Sequence, residues 1–425
     1  MNISIRKQLT NLIRTSLIKR VGQELNLVKR QRKIKLPALV WTVIFGGLAE
    51  RKQSLESLRR SYMRVTGFRI ARSSFYQRFT PQLCQLLRIL AENLMGEGER
   101  SASQPKHLSL YKRLKDIFIV DSTLVDLLKG LLKRYPSTHE GTAKLKLHMV
   151  INAANGSPNR VKISTGKTHD MKVWQTIGSW VSGRLLLFDL GYYSFSLFDR
   201  IERKGGFFLT RLKANSNLKI LKTLRVYRGR AIDVVGKSTK DIFSSLSREV
   251  LDVEVEVSFL KRSYRGRQST AHRTYRLIAI RRPESGRYFT YLTNLTPEIL
   301  AAEGVKALYS TRWQVEIFFK SLKSYGALGN LPSEKSEVVE ILIWGKILFA
   351  LLSTSLLQMI RSHYSSKHFP TERWLKLCAR LSSDLLYLAL WKQKSLSIYV
   401  SAFLIEEGAD PNIKRKTEEI SCKYA

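Results

Sequence analysis

The chain has 425 residues, too many for one small core, and its hydrophobic fraction of 44% is ordinary for a globular protein. Its charge is not ordinary: 73 Lys and Arg stand against 34 Asp and Glu, a net +39 with a pI near 10.3. Such a charge repels itself in a compact fold unless a polyanion balances it, so nucleic acid is the expected partner, and the scattered Cys84, Cys378 and Cys422 argue against a disulfide framework or a zinc site.

Residues 1–35 hold ten Lys or Arg and a single acid, Glu24. They fit either a helical arm laid along a DNA backbone or a solvated tail. Arg14, Lys19 and Arg20 break any apolar run near the N-terminus, so no signal peptide is expected. Residues 36–50 are apolar enough for a core helix. From Ser54 the pattern predicts a helix, a turn at Gly67 and a second helix starting near Ser73 or Ser74. Two readings fit this stretch: a helix-turn-helix whose second helix carries Ser74, Tyr76, Gln77 and Arg78 into the major groove, or an all-helical packing domain. Residues 98–108 have the composition of a linker.

A mixed sheet is expected next, in the order βββαβαβ. Strands are predicted over 116–121, 146–152 and 160–164, with Asn155-Gly156 as a hairpin signal, then a helix over 171–180. A strand ending on Asp189, a helix over 194–203 and a strand over 207–211 follow. Asp121 closes the apolar run 117–120 and Asp189 closes the run 185–188. An acid at the end of a buried strand needs a cation to offset its desolvation; the bland alternative is an acid that faces water or caps a turn. His169 is the one histidine expected near a cleft, with a plain loop role as the alternative.

Between Lys213 and Pro297 the β candidates are 251–261, 274–281 and 287–293, with a basic loop that carries Arg262, Tyr264, Arg265 and Arg267. Cations with an interleaved aromatic suit a DNA-backbone clamp or a stacked base, and a solvated hairpin loop is the alternative. Residues 309–323, YSTRWQVEIFFKSLK, are predicted to form one helix, with Tyr309, Arg312, Glu316 and Lys323 within about 60° of arc. Val315, Phe318, Phe319 and Leu322 anchor its other side. Taken alone, the Arg312/Glu316 spacing is an ordinary surface pair. With Asp121 and Asp189 it suggests three carboxylates converging on Mg²⁺, for which Mn²⁺ can substitute, since hard oxygen donors suit these ions and two-metal phosphoryl transfer. Residues 338–360 are strongly apolar, but Glu340 and Lys346 interrupt them, so a buried helix is expected and not a membrane span. The expected location is cytoplasmic and DNA-associated.

The Tyr-Arg-Glu-Lys spacing, with two, three and six residues between its members, behind two strand-ending aspartates, resembles the IS4 family of insertion-sequence transposases. These are DDE recombinases with a ribonuclease H-like core, and the resemblance spans roughly residues 110–330. It implies an α/β fold: a ribonuclease H-like core in two parts, 110–212 and 298–332, around a β-rich insertion at 213–297. A helical DNA-binding domain at 1–100 and a helical region at 333–425 flank it. Asp121, Asp189 and Glu316 are then the metal ligands; Arg312 and Lys323 are cations beside the phosphate, and Tyr309 bonds a phosphate near the cleaved end. The implied partners are double-stranded DNA, as transposon ends and target, and a second copy of the chain in a synaptic dimer. The implied reaction cuts the end and joins its 3′ hydroxyl to target DNA. A nuclease that cuts without joining, or an idle DNA-binding repressor, is the alternative. Family members hold a flipped base on a tryptophan in the insertion, and residues 205–300 here contain none.

Overall fold

The computed structural model describes residues 4–27, 34–50, 53–101, 113–174, 177–227, 230–261, 268–329 and 331–411. Six helices come first: α1 (Ile5–Leu12), α2 (Thr15–Glu24), α3 (Leu36–Phe45), α4 (Leu55–Thr66), α5 (Arg72–Tyr76) and α6 (Pro81–Ser101). Ser54 starts α4 with a reciprocal cap to Ser57, and Gly67 ends it in the left-handed region at φ 73°, which glycine adopts without strain. The second helix of the predicted pair is cut to five residues. Proline disfavours helical geometry in the residue before it and suits a helix start, so Thr80 breaks the run and Pro81 opens α6. Phe75 is buried against Tyr62, and Tyr76 takes a hydrogen bond from Arg72 Nε at 3.0 Å. The segment is thus a packing turn, with Arg78 exposed in the link between α5 and α6 and not on a reader helix.

The core sheet follows: β1 (Asp116–Leu127), β2 (Ala143–Asn152), β3 (Pro158–Thr165), the one-turn α7 (Asp170–Val173), β4 (Arg184–Phe188), α8 (Phe195–Arg203) and β5 (Phe207–Arg211). The helix predicted over 171–180 is thus only α7. β1 pairs with β2 antiparallel and with β4 parallel, so the first and fourth strands adjoin as expected. Asp121 does not end its strand: β1 stays paired with β2 as far as Leu127↔Ala143, while β4 leaves it after Val120↔Phe188. The polar residues change burial without ending the backbone ladder.

The insertion carries β6 (Lys219–Thr223), a small ribbon of β7 (Val226–Tyr227) and β8 (Arg230–Ala231), α9 (Thr239–Phe243), β9 (Val250–Leu260), β10 (Thr270–Arg281) and β11 (Tyr288–Thr293). Its strands extend the core sheet itself, through β11 on β5, to give nine strands in the order β3-β2-β1-β4-β5-β11-β10-β9-β6. A buried Asp252–Arg276 pair, 2.6 Å at its shorter contact, fastens β9 to β10, and Arg276 also donates to the Leu300 carbonyl at 2.7 Å. That bond ties the insertion to the chain leading out of the sheet. The basic loop with Arg262, Tyr264, Arg265 and Arg267 lies outside the described residues.

The last helices are α10 (Ala302–Ser310), α11 (Trp313–Ser324), α12 (Ser336–His363), α13 (Thr371–Arg380), α14 (Ser382–Leu390) and α15 (Lys394–Gly408). α12 is long and apolar enough to cross a membrane, but 89% of its most apolar window is buried inside the protein, so it is the core helix expected. It packs on α3, α6 and α13; at Gly345 a Cβ would stand 2.8 Å from the Val43 carbonyl, which is why no side chain sits there. Strand residues alternate between two cores. Ile117, Ile119, Leu185 and Leu187 join the helical side with α3, α6, α11 and α12, while Phe118, Val120, Leu186 and Phe188 face α8.

Candidate active site

This alternation puts Asp121 and Asp189 on the helical face, one step beyond the buried runs 117–120 and 185–188. Val315, Phe318, Phe319 and Leu322 seat α11 in the same core, so Arg312 meets Asp121 across the end of the β1/β4 ladder, with Glu316 bound to the same arginine and the charge of Asp189 close by. The single helix predicted over 309–323 is in fact two. The Ser310 and Thr311 hydroxyls donate back to the Ala307 and Leu308 carbonyls at 2.6 and 2.7 Å, and the backbone tightens to i→i−3 bonds from Thr311 and Arg312. Arg312 keeps right-handed dihedrals, which preserves the polar stripe across the joint.

Arg312 is the centre of the cluster. Its Nη1 is 3.3 Å from Asp121 Oδ2 and its Nη2 is 2.6 Å from Glu316 Oε1. Arg312 and Asp121 are only 15% and 17% exposed, against 35% for Glu316. Asp121 also accepts from the Ser122 N–H at 2.7 Å. Burial pushes the Asp121 carboxyl up to about 6; the Ser122 N–H and Arg312 pull against that, and Asp189 and Glu316 add to it. Asp189 is half-buried and opens a short 3-10 turn, Leu190–Tyr192.

Tyr309 lies beneath this cluster and not at its mouth. It is 8% exposed, its hydroxyl donates to the Phe188 carbonyl at 3.1 Å, its ring lies 5.3 Å from that of Tyr291, and burial pushes the phenol up to about 12. Lys323 stands at the far end of α11, near Asp126 and Lys144, where burial lowers its ammonium. Eleven helical residues and five strand residues both span about 17 Å, so α11 runs alongside the outgoing half of β1. Lys323 is therefore a further cation along the same cleft and does not join the carboxylates.

The expected convergence of three carboxylates is corrected in one respect. Among the described residues, no group of three His, Cys, Asp or Glu is disposed to hold a metal ion. Two half-buried carboxylates repel unless a cation stands between them, and the Arg312 guanidinium occupies that position. The donors Asp121, Asp189 and Glu316 are all carboxylate oxygens, the type that hard divalent ions favour, and Arg312 is the cation that now stands among them.

Sequence reasoning missed a second cluster directly behind this one. His169 is exposed at the start of α7, whereas its neighbour Asp170 meets Ser122, Lys146 and the fully buried His148. Burial drives the His148 imidazole down to about 4, so it is neutral. The signal available was the alternation of β2, which turns Lys146 and His148 to the same face as Val150.

The chain matches the sequence model of the transposase DDE domain over residues 112–352, more than half of its length. It is 25% identical over 407 residues to the transposase for insertion sequence element IS231C of Bacillus thuringiensis subsp. berliner, a match covering 87% of this chain and 84% of that protein. With the transposase for insertion sequence element IS1151 of Clostridium perfringens it shares 21% identity over 369 residues, covering 80% and 77%. In three dimensions it is similar, at TM-score 0.49 and 10% identity, to the piggyBac transposase of a synaptic complex with hairpin DNA, over 98% of this chain and 88% of that one. With a domain match that contains Asp121, Asp189 and Glu316, and relatives that align along most of their length, the chain belongs to the DDE family of insertion-sequence transposases.

Proposed function

We propose that this DNA transposase binds the ends of its element as double-stranded DNA, cuts them, and joins the freed 3′ hydroxyl to target DNA within a synaptic homodimer. The core is read as ribonuclease H-like, supported by three antiparallel strands followed by two parallel ones in the order β3-β2-β1-β4-β5. The observation that carries the proposal is the Arg312 guanidinium spanning Asp121 and Glu316 beside Asp189, a cation set among three oxygen donors at a strand-end cleft.

Asp121, Asp189 and Glu316 would hold Mg²⁺, or Mn²⁺ in its place, which supplies Lewis acidity toward the phosphate and an activated water. The chain's own residues do the rest. Arg312, whose planar fork suits phosphate oxygens as well as carboxylates, turns toward the negative charge that gathers on the scissile phosphate. Lys323 meets the DNA backbone farther along the cleft as a point charge. Tyr309 already spends its hydroxyl on the Phe188 carbonyl, which favours a role in seating α10 on β4 over the phosphate contact that the resemblance implies. Exposed Arg78 contributes backbone attraction, and Arg262, Arg265 and Arg267 are assigned the same role from sequence alone.

The test is a Mg²⁺-dependent cleavage and strand-transfer assay on DNA carrying the element's own ends. Wild type should cut and join, and Glu316→Gln should do neither while still binding the ends. Cutting without joining by the wild type would replace this reading with a nuclease, and binding with neither would replace it with a repressor.

A further inference from the structure

The polar cluster behind Asp121 belongs to no step above. Along β1, Asp121 faces the helical side, and Ser122, the next residue, faces the opposite one with Phe118 and Val120. Ser122 Oγ donates to Asp170 Oδ1 at 2.9 Å, and Lys146 Nζ lies 3.3 Å from the same oxygen. His148 Nδ1 lies 3.6 Å from that oxygen and 3.2 Å from the Tyr192 hydroxyl, and its Nε2 is 2.8 Å from Ser164 Oγ. Both ends of this network reach the proposed ligands. The Ser122 N–H bonds Asp121 itself, and Tyr192 closes the 3-10 turn that Asp189 opens, its N–H donating to the Asp189 carbonyl at 3.0 Å.

The surroundings make the cluster unusual. Phe118, Val120, Val150, Trp174 and Phe188 fill this face, so apolar side chains would pack the space without the desolvation that a carboxylate, a lysine and an imidazole incur. What the polar groups supply is direction. Ser122 of β1 bonds Asp170, Tyr192 of the turn after β4 shares a hydrogen bond with His148 of β2, and the His148 ring packs against Asp170 at 3.6 Å, so these contacts together fix the relative position of the two segments that carry Asp121 and Asp189. Packing alone tolerates small shifts, whereas a metal site does not.

We infer that Asp170 is a positioning residue for phosphoryl transfer: through Ser122 on one side and His148 and Tyr192 on the other, it sets the spacing of Asp121 and Asp189 and hence the affinity of the site for a divalent cation. The inference rests on the metal-site reading under Proposed function. Partners that orient metal ligands typically contribute about 10- to 100-fold in metal affinity or activity.

The experiment is a Mn²⁺ titration of the full chain without DNA, followed by electron paramagnetic resonance, on wild type, Asp170→Ala, Ser122→Ala, Ser122→Thr and Glu316→Gln. Thermal unfolding and affinity for end DNA are measured beside it. Asp170→Ala and Ser122→Ala should weaken Mn²⁺ binding about tenfold or more. Ser122→Thr, which keeps the hydroxyl, should restore it, and DNA affinity should not move. If Asp170→Ala fails to fold, Ser122→Ala decides, because it removes one hydroxyl only. A lowered melting temperature with unchanged Mn²⁺ affinity in Ser122→Ala would overturn the inference and leave a purely architectural cluster. If Glu316→Gln binds Mn²⁺ as wild type does, the metal-site reading itself fails, and this inference falls with it.

Discussion

The two faces of β1 at residues 121 and 122 each carry a charged cluster, three carboxylates around one arginine on the front and one carboxylate among a serine, a lysine and a histidine at the back. On the front, Asp121 and Glu316 share one arginine, and that cation sits on a helix joint at the cleft. At the back, Asp170 is held by a serine, a lysine and a nearby histidine drawn from two strands of the sheet. The front cluster is held by a single long side chain that has better partners once phosphate arrives. The rear one is held from several sides and has nowhere to go. A charged site meant to exchange partners and a charged site meant to stay fixed thus differ in how many side chains grip the central charge.

Asp121→Asn or Glu316→Gln should have the largest effect, lowering end cleavage by several orders of magnitude with DNA binding kept or tightened, as measured by single-turnover cleavage beside gel shifts. Arg312→Gln sharpens the contrast between the faces. Cleavage should fall by roughly 100-fold or more. Mn²⁺ binding to the DNA-free protein should tighten, because the competing cation has gone, the opposite sign to that expected for Asp170→Ala. Weaker Mn²⁺ binding in Arg312→Gln would show that both faces are held in the same way. Tyr309→Phe should cost about 1 kcal/mol of stability, the usual value of one hydrogen bond, seen as a lower denaturant midpoint with end-DNA affinity intact. Lost DNA affinity at unchanged stability would restore the phosphate role.

A separate effect, on the pH dependence of stability, concerns a buried charge with no chemistry to do. Lys346 on α12 is 1% exposed, its Nζ donates to Gln53 Oε1, and burial lowers its ammonium to about 7. In the unfolded chain it titrates near about 10.4. Between those values the unfolded state binds more protons, so stability should rise as pH goes from 7 to 10 and fall again on return. In Lys346→Met that slope should flatten, as read by urea midpoints at both pH values.

Much of the front face was legible because short-range rules govern it. Two apolar runs ending in aspartate, and helical spacing from Arg312 to Glu316, depend only on neighbours along the chain. The joint at Ser310 and Thr311 was less legible, since it arises from hydroxyls competing for carbonyls that a helix-period count assigns to the backbone. Thr80-Pro81 was legible as a helix break, although neither reading of residues 74–78 made use of it. The rear cluster was hidden for a different reason. Ser122, His148 and Asp170 are separated by more than twenty residues at each step; the β1/β2 register pairs Ser122 with His148, and Asp170 arrives separately on α7. The joining of the insertion to the core sheet likewise needed the pairing of Tyr291 with Arg211, 80 positions earlier.

A sheet of nine strands that never closes has two rims, β3 and β6, and each rim is a template for the edge of another copy. Here both are blunted. β6 carries Lys219 and Lys222, and its outer rim bonds instead to the chain at Gly236 and Lys237. β3 starts on a proline and carries Arg160 and Lys162. The same lysine and arginine excess that suits a polyanion therefore also opposes edge-to-edge pairing of one copy of the chain with another.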